Sequence, residues 1–451
     1  MTLSSLDNTL HSLGQILEPH QIVTAEARSP LWQTQLNAAF LPDQGNPPIV
    51  YPQDSEQLGA LLTWAHHDRR TVLICGAGSK LGWGTPIPAT DLVLSLQHLN
   101  RIIDHAVGDL TITVEAGIPF QTLQHHLKTS GQFLPVDPSY APQATLGGIL
   151  ATRDAGSLRH RYGGVRDLLL GLSFVRADGQ RAKAGGRVVK NVAGYDLMKL
   201  FTGSFGTLGL LSEVTLRLYP IQEISQTVVL VGPPEAIATL TAQVLNSTLT
   251  PVALDLLSES VIPHLSPPGS LALVARFQSL GESVTAQVRR LMQLGTHLAS
   301  QVYCDQAEED LWTALGHRQG LQETDTLHPE TPLVAKFGLL PQRAVPALQL
   351  FHQWSQQQDC TCWMQIHAGS GLGTLKLTAS ASSLTASLLQ QLRSHCEQHQ
   401  GFLSVLDAPL SLRQSFDVWG YPGNAIATMR KLKHQFDPHR ILNPGRYVGG
   451  I

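Results

Sequence analysis

Apolar and polar positions change rhythm several times along this chain. Residues 1–45 carry loosely spaced apolar positions of helical type, and Pro47 and Pro48 then break the run. From Ile49 onward, short apolar runs alternate with helical stretches. Asp54 followed by Gln57 reads as a capping box that opens a helix to about Asp68. Thr71–Cys75 is a short apolar run closed by glycines, the mark of a buried strand. Asp91–Leu96 and Asp109–Ala116 follow as strands. In the second, Leu110, Ile112 and Val114 alternate with threonines at period two, which predicts one buried face. Pro119 suits the first turn of a helix to about Ser130, with Gly131 just past its end. Glu213–Leu218 is an alternating strand that stops at Pro220.

After Ile221 the glycine density falls. Thr227–Val231 reads as a strand, Glu235–Asn246 as a helix, Leu271–Phe277 as a strand and Glu282–Leu294 as a helix. That succession predicts an α+β domain with an antiparallel sheet. The expected organisation is a helical segment over 1–45, a glycine-rich domain over 46–220, an α+β domain over 221–410 and a terminal segment over 411–451. No internal repeat is present.

Composition narrows the function. Of 451 residues 43% are hydrophobic, enough for a globular chain with a large core. Charged residues are 14%, against about 25% in an ordinary soluble domain. The balance of 31 basic to 34 acidic residues leaves no basic field, so nucleic acid is not an expected partner. Five cysteines, Cys75, Cys304, Cys360, Cys362 and Cys396, are too sparse for a disulfide framework. Cys360 and Cys362 lack the neighbours that a zinc or iron–sulfur site needs. Met1–Leu17 has neither the basic region nor the apolar run of a signal peptide. The longest apolar stretch, Leu168–Val175, is far short of the ~20 residues that span a bilayer. The expected location is cytoplasmic, with room for peripheral membrane placement through a partner.

Candidate chemistry sits in five glycine clusters. Cys75-Gly76-Ala77-Gly78-Ser79-Lys80-Leu81-Gly82-Trp83-Gly84 directly follows a strand. Such a loop can turn its backbone N–H groups around a phosphate, because glycine leaves no Cβ in the way. It is not a Rossmann fingerprint, since Leu81 stands where the third glycine would fall, and it lacks the Gly-Lys-Ser/Thr of a Walker loop. Taken alone it reads equally well as a plain turn. The others are Pro138 to Gly148, Gly156 to Asp167, Gly185 to Asp196 and Gly203 to Gly209. Glycines also mark bends and bulges, but five clusters in one domain fit a backbone threading past a long, flat, anionic ligand.

The succession of the first loop, Ala144-Thr145-Leu146-Gly147-Gly148, Tyr162-Gly163-Gly164-Val165-Arg166-Asp167, Lys190-Asn191-Val192-Ala193-Gly194-Tyr195-Asp196 and the Gly206–Leu218 stretch resembles the FAD-binding domain of the vanillyl-alcohol-oxidase/cresol-methylhydroxylase superfamily. Gly185 to Gly209 is similar to the family of FAD-binding E subunits of bacterial glycolate oxidase (glycolate dehydrogenase). The likeness runs over Ile49–Pro220 and Asp437–Arg446. It implies a two-subdomain PCMH-type FAD-binding domain followed by the α+β domain as a cap. By resemblance, Gly76, Ala77, Gly78 and Ser79 would hold the pyrophosphate. Pro138, Thr145, Gly147 and Gly148 would line the path of the ribityl chain and pyrophosphate. Gly156, Ser157, Tyr162 and Gly163 would lie along the flavin, and Leu211 near the adenine. Asn443 and Arg446 would return to the flavin ring. Lys190 and Asn191 stay open between flavin or partner contacts and a buried structural role. Some superfamily members bond FAD through a histidine of the first loop; this loop has none, so noncovalent FAD is expected.

Relatives that oxidise 2-hydroxy acids use a histidine pair and metal in a pattern like His-x-Gly-Asp-Gly-Asn-x-His. This chain has His367-Ala368-Gly369-Ser370-Gly371-Leu372-Gly373-Thr374, which keeps the first histidine and two glycines only. A lone histidine is a poor metal site. His367 is the one catalytic candidate, and a strand-end role near the flavin face is the reading favoured for it. The pairs His66–His67 and His125–His126 point to different helix faces and read as solvated. Arg276 could hold a carboxylate, though a structural ion pair fits better. The resemblance implies an FAD-containing subunit of a glycolate (2-hydroxy acid) dehydrogenase complex, beside a catalytic flavoprotein and an iron–sulfur subunit. A self-sufficient flavoprotein acting on another small hydroxy acid or alcohol is the alternative, and a cofactor-free assembly subunit is the third reading.

Overall fold

The computed structural model describes residues 3–42, 46–88, 90–187, 194–258, 269–318, 330–380, 386–420 and 423–451. Contacts divide it into two compact units, each threaded by more than one stretch of chain.

The first unit comprises Met1–Asp154, Gly164–Pro220 and Tyr421–Ile451. One sheet has four strands, ordered Ile22–Val23, Ile49–Val50, Leu92–Ser95 and Val72–Cys75, the last three parallel. Leu92–Ser95 is buried throughout, as expected of a central parallel strand. A second, antiparallel sheet runs in the order Ile102–Ala106, Thr111–Glu115, Leu210–Arg217, Leu169–Val175 and Arg181–Gly185. Its Thr111–Glu115 strand differs from the period-two reading. Both faces are buried, because Thr113 Oγ1 meets its cross-strand partner Thr215 Oγ1 at 2.9 Å and so satisfies both hydroxyls inside. Leu110 lies outside the strand at φ 52°.

The helix Ser55–His67 opens as expected on Asp54, whose carboxylate accepts from the N–H groups of Glu56 and Gln57. The reciprocal half of the capping box is absent: the Gln57 side chain takes the N–H of Gln53 instead, at 2.8 Å. The helix Phe120–Lys128 follows Pro119. The N-terminal residues do not stand apart. Leu13 and Leu17 join the main core of this unit, and Leu36, Ala39 and Phe40 a smaller one.

The second unit comprises Ala155–Gly163 and Ile221–Gly420, so it ends ten residues beyond the boundary read from sequence. It is built on one eight-stranded antiparallel sheet. The order is Ala299–Cys304, Ile224–Gly232, Leu271–Ser279, Ala253–Leu257, Thr361–His367, Leu372–Ser380, Glu330–Gly338 and Phe402–Asp407. Helices Pro234–Leu245, Gly281–Leu294, Ala344–Gln356 and Ala386–Gln398 supply apolar residues to a core that includes Leu254, Leu256, Met364 and Ile366. On the other face Leu257 and Trp363 pack with Leu311, Trp312 and Leu315 of the helix Asp305–Arg318. Arg276 has the structural role foreseen for it, donating from Nε to Glu308 Oε1 at 3.1 Å.

Candidate functional site

The strand Val72–Cys75 carries the chain into the first glycine loop. Gly76 lies so close to Thr145 that an added Cβ would run into its side chain. Gly78 has φ +81°, a conformation costly for any residue with a Cβ. The N–H groups of Gly76, Ala77, Gly78 and Ser79 make no hydrogen bond among the described residues. Backbone amides at a buried edge are almost always paired. Four consecutive unspent donors bordering a cleft are therefore a site for an anion.

That cleft is open to solvent on one side and walled by backbone of several stretches of the first unit. Gly76, Ala77, Gly78 and Ser79 form one side. Thr145, Gly147 and Gly148 form another, with Leu211, Asn443 and Arg446 also lining it. Thr145 caps the short helix Leu146–Thr152, and Gly147 donates to Ala116 O at 2.7 Å. Leu211 sits within the strand Leu210–Arg217 rather than before it.

Asn443 and Arg446 do more for the loop than the resemblance implied. Asn443 Oδ1 accepts from Ile74 N at 2.7 Å, and its Nδ2 donates to Phe205 O at 2.6 Å. Arg446 Nη2 donates to the carbonyls of Lys80 and Leu81 at 3.0 and 2.7 Å. Both side chains therefore spend polar atoms fixing the shape of the cleft wall. Lys80, also on the wall, is ion-paired with Asp154 at 3.0 Å, and Asp154 in turn accepts from Ser139 N at 2.8 Å. Neither Lys80 nor Asp154 was singled out from sequence; a lysine inside a glycine loop was the available signal. Cys75 lines the cleft with its thiol pushed up to about 12 by burial.

Pro138 is not among the residues lining the cleft. Gly156, Ser157, Tyr162 and Gly163 belong by their contacts to the second unit. Lys190 and Asn191 lie outside the described residues.

In the second unit a polar cluster forms on one sheet face. Asp255 and His367 are direct cross-strand partners, and Gln365 lies two residues before His367 on the same face. Asp255 is fully buried; its Oδ1 lies 2.6 Å from His367 Nδ1, and its Oδ2 accepts from Gln365 Nε2 at 2.9 Å. Gln365 Nε2 also donates to Ser157 Oγ at 2.9 Å. His160 stands beside the cluster. Burial lowers its pKa below the ordinary imidazole value; the Asp255 carboxylate opposes this, and His367 adds to it. His367 is the last residue of its strand, and its neighbours Asp255, Gln365 and His160 were not singled out from the sequence. The His66–His67 and His125–His126 pairs do not act as units: His126 Nε2 instead meets His105 Nδ1 at 3.1 Å, and the His66 ring lies against His439. No group of three metal-ligating side chains forms among the described residues.

Residues 47–185 match the FAD binding domain family, and 420–447 the C-terminal domain of FAD linked oxidases. Among solved structures, an alkyldihydroxyacetonephosphate synthase superposes with a TM-score of 0.75 at 17% identity, over 98% of this chain and 86% of that one. The 4-ethylphenol oxidase of Gulosibacter chungangensis gives 0.75 at 14%, over 99% and 97%. Together these define a protein with the PCMH-type FAD-binding fold, and FAD as its cofactor. The glycolate oxidase subunit GlcD of Bacillus subtilis is 26% identical over 88% of each chain. A D-2-hydroxyglutarate dehydrogenase of Xanthomonas citri is also 26% identical over 88% of each. The glycolate oxidase subunit GlcE of Escherichia coli is 36% identical over 37% of this chain and 47% of its own. The protein is an FAD-dependent oxidoreductase acting on CH–OH groups, similar to proteins named as oxidases and dehydrogenases of 2-hydroxy acids.

Proposed function

We propose that the chain is the FAD-binding subunit of a complex that oxidises glycolate to glyoxylate. The observation that carries the reading is the 36% identity to the E. coli GlcE subunit over 167 residues, above the 26% to the full-length relatives. The unspent amides of Gly76 to Ser79 hold the pyrophosphate. The walls at Thr145 to Gly148 and at Asn443 and Arg446 confine the rest of the cofactor. FAD is bound noncovalently: no histidine lines the cleft among the described residues, and the half-buried Cys75 thiol is pushed up to about 12, which keeps it protonated. Bound FAD supplies the acceptor for the substrate's hydride. The partners are a catalytic flavoprotein and an iron–sulfur subunit. Among the described residues no helix is long and apolar enough to cross a membrane, and membrane placement, at the inner face, runs through those partners.

The second reading is a self-sufficient 2-hydroxy acid dehydrogenase, favoured by the His367–Asp255 pair. One experiment separates the two. The purified chain is scanned in the visible before and after anaerobic glycolate. Bleaching of the flavin bands by glycolate alone supports the self-sufficient enzyme. Bands that persist until the partner subunits are added support the complex. A chain without flavin bands after incubation with FAD overturns both.

A further inference from the structure

We propose that His105 and His126 form a binding site for a divalent transition-metal ion of the zinc and copper class. Both belong to the first unit, and neither lines the flavin cleft. The two rings come from different elements. His105 lies on the strand Ile102–Ala106, at the edge of the five-stranded sheet, and His126 on the helix Phe120–Lys128. Their ring nitrogens, His105 Nδ1 and His126 Nε2, meet at 3.1 Å. The other nitrogen of His105 settles where its hydrogen sits. Gln132, 4% exposed, donates from Nε2 to Val107 O at 2.8 Å, so its Oε1 is the atom that faces His105 Nε2 at 3.0 Å. An amide oxygen only accepts. His105 therefore carries its hydrogen on Nε2, and the lone pair on Nδ1 points at His126. Metal-binding histidines are held in the same way: the outer nitrogen donates to a fixed acceptor, which leaves the inner one to coordinate.

The spacing fits an ion. With metal–imidazole bonds of ~2.0–2.1 Å, nitrogens 3.1 Å apart subtend about 95–100° at the metal. That lies between the right angle of neighbouring square-planar positions and the tetrahedral angle. The rings are inclined at 56°, so they meet nitrogen to nitrogen and not face to face. Both residues are half-buried, so their elements hold them while solvent still reaches the pair. No third metal-ligating side chain joins them among the described residues, and water fills the remaining positions. Without an ion, His126 Nε2 donates to His105 Nδ1. On binding, that proton leaves to water and another is taken up at His126 Nδ1. Both imidazoles stay neutral, and the ion replaces one hydrogen bond. Imidazole suits zinc, copper and nickel, whereas magnesium and calcium take oxygen ligands. His125, exposed beside His126, points to another helix face and stays outside the site. A bound ion ties the edge strand to the helix Phe120–Lys128.

The test uses the full chain loaded with FAD, with Cys304→Ser as background so that this exposed thiol does not compete for metal. Calorimetric titration with Zn²⁺ is expected to show a site that Mg²⁺ does not fill. Electron paramagnetic resonance of added Cu²⁺ is expected to show coupling to two imidazole nitrogens. His105→Gln and His126→Gln are each expected to weaken Zn²⁺ binding by about 100-fold, and Gln132→Met by about 10–100-fold, with the flavin spectrum unchanged. His125→Gln is expected to leave the affinity as it was. Nitrogen-15 NMR of the metal-free chain is expected to show His105 protonated at Nε2, with its Nδ1 resonance moving on addition of Zn²⁺. Uptake of Zn²⁺ that neither His105→Gln nor His126→Gln weakens marks an adventitious ion only and overturns the proposal. A chain that takes up no Zn²⁺ overturns it as well. So does His105 protonated at Nδ1 in the metal-free chain, without any ligand variant needing to fold. No substrate or partner subunit enters these measurements, so their outcome is separate from that of the glycolate reading.

Discussion

Gly76 shows how closely the flavin cleft is fitted. A methyl group there would strike the Thr145 side chain, a residue from a separate stretch of the same unit. Gly76→Ala is expected to cost about 1–3 kcal/mol by overpacking, weakening FAD binding on the order of ten- to hundred-fold; titration of flavin fluorescence reads this directly. His160 gives a second prediction. Its folded pKa lies below the ordinary imidazole value, so the unfolded chain takes up its proton first as pH falls. Its contribution to stability is complete above that ordinary value and lost as pH drops toward the folded one. Urea midpoints measured at about pH 7.5 and about pH 5.5 should fall more for the wild type than for His160→Gln. At this scale the first loop was legible because glycine spacing is local. Asp255 was not: its partner His367 is 112 positions away, and only strand register brings them together.

Among elements, the C-terminal segment sets the geometry of the cleft. Ile441 O accepts from Val72 N at 2.7 Å and Asn443 N donates to Val72 O at 2.9 Å, so the segment runs along the strand that feeds the glycine loop. It is anchored from behind by Lys433 in the helix Ile426–Phe436. Lys433 Nζ, 3% exposed as a residue, donates to Asp437 Oδ2 at 2.6 Å and to the carbonyls of Thr207 and Leu442, each at 2.8 Å. Asp437 in turn accepts from Ile441 N and Leu442 N. Removing one partner of such a buried pair strands the other, at a cost of about 3–5 kcal/mol. Lys433→Met is expected to lower the melting temperature and release FAD, as seen in a thermal melt followed by flavin fluorescence. Arg446→Lys is the milder change. A lysine lacks the fork that spans two carbonyls, so the fold should survive with weaker flavin retention. The helices Ser55–His67, Pro234–Leu245 and Gly281–Leu294 and the strands Ile224–Gly232 and Leu271–Ser279 were readable from their patterning, whereas Ala253–Leu257 and Thr361–His367 were not read at all. The double burial of Thr111–Glu115 was not, because a threonine face looks solvated until its cross-strand partner Thr215 is known.

At the level of the whole molecule, the two units hold separate apolar cores, and the described residues that line the FAD cleft belong to the first. Calorimetry is expected to resolve two transitions, with added FAD raising only one. Ligand at 100 times Kd contributes about 2.7 kcal/mol; a single transition that shifts as one would show the units melting together. Sequence texture marked the change of unit near Pro220. It gave no sign that Ala155–Gly163 joins the second unit, since nine residues are too few to carry a pattern of their own. The chain therefore changes unit after Asp154, Gly163, Pro220 and Gly420. On the ribosome this reverses the order of completion. Residues to Gly420 suffice for the second unit, but the Val72 strand, among the first to emerge, waits for Asn443, 369 positions from its partner Ile74. The nascent first unit exposes an unfinished sheet edge throughout, a natural client for chaperones. The cofactor cleft closes only once Asn443 and Arg446 have been released, so retained flavin certifies a chain translated beyond Arg446.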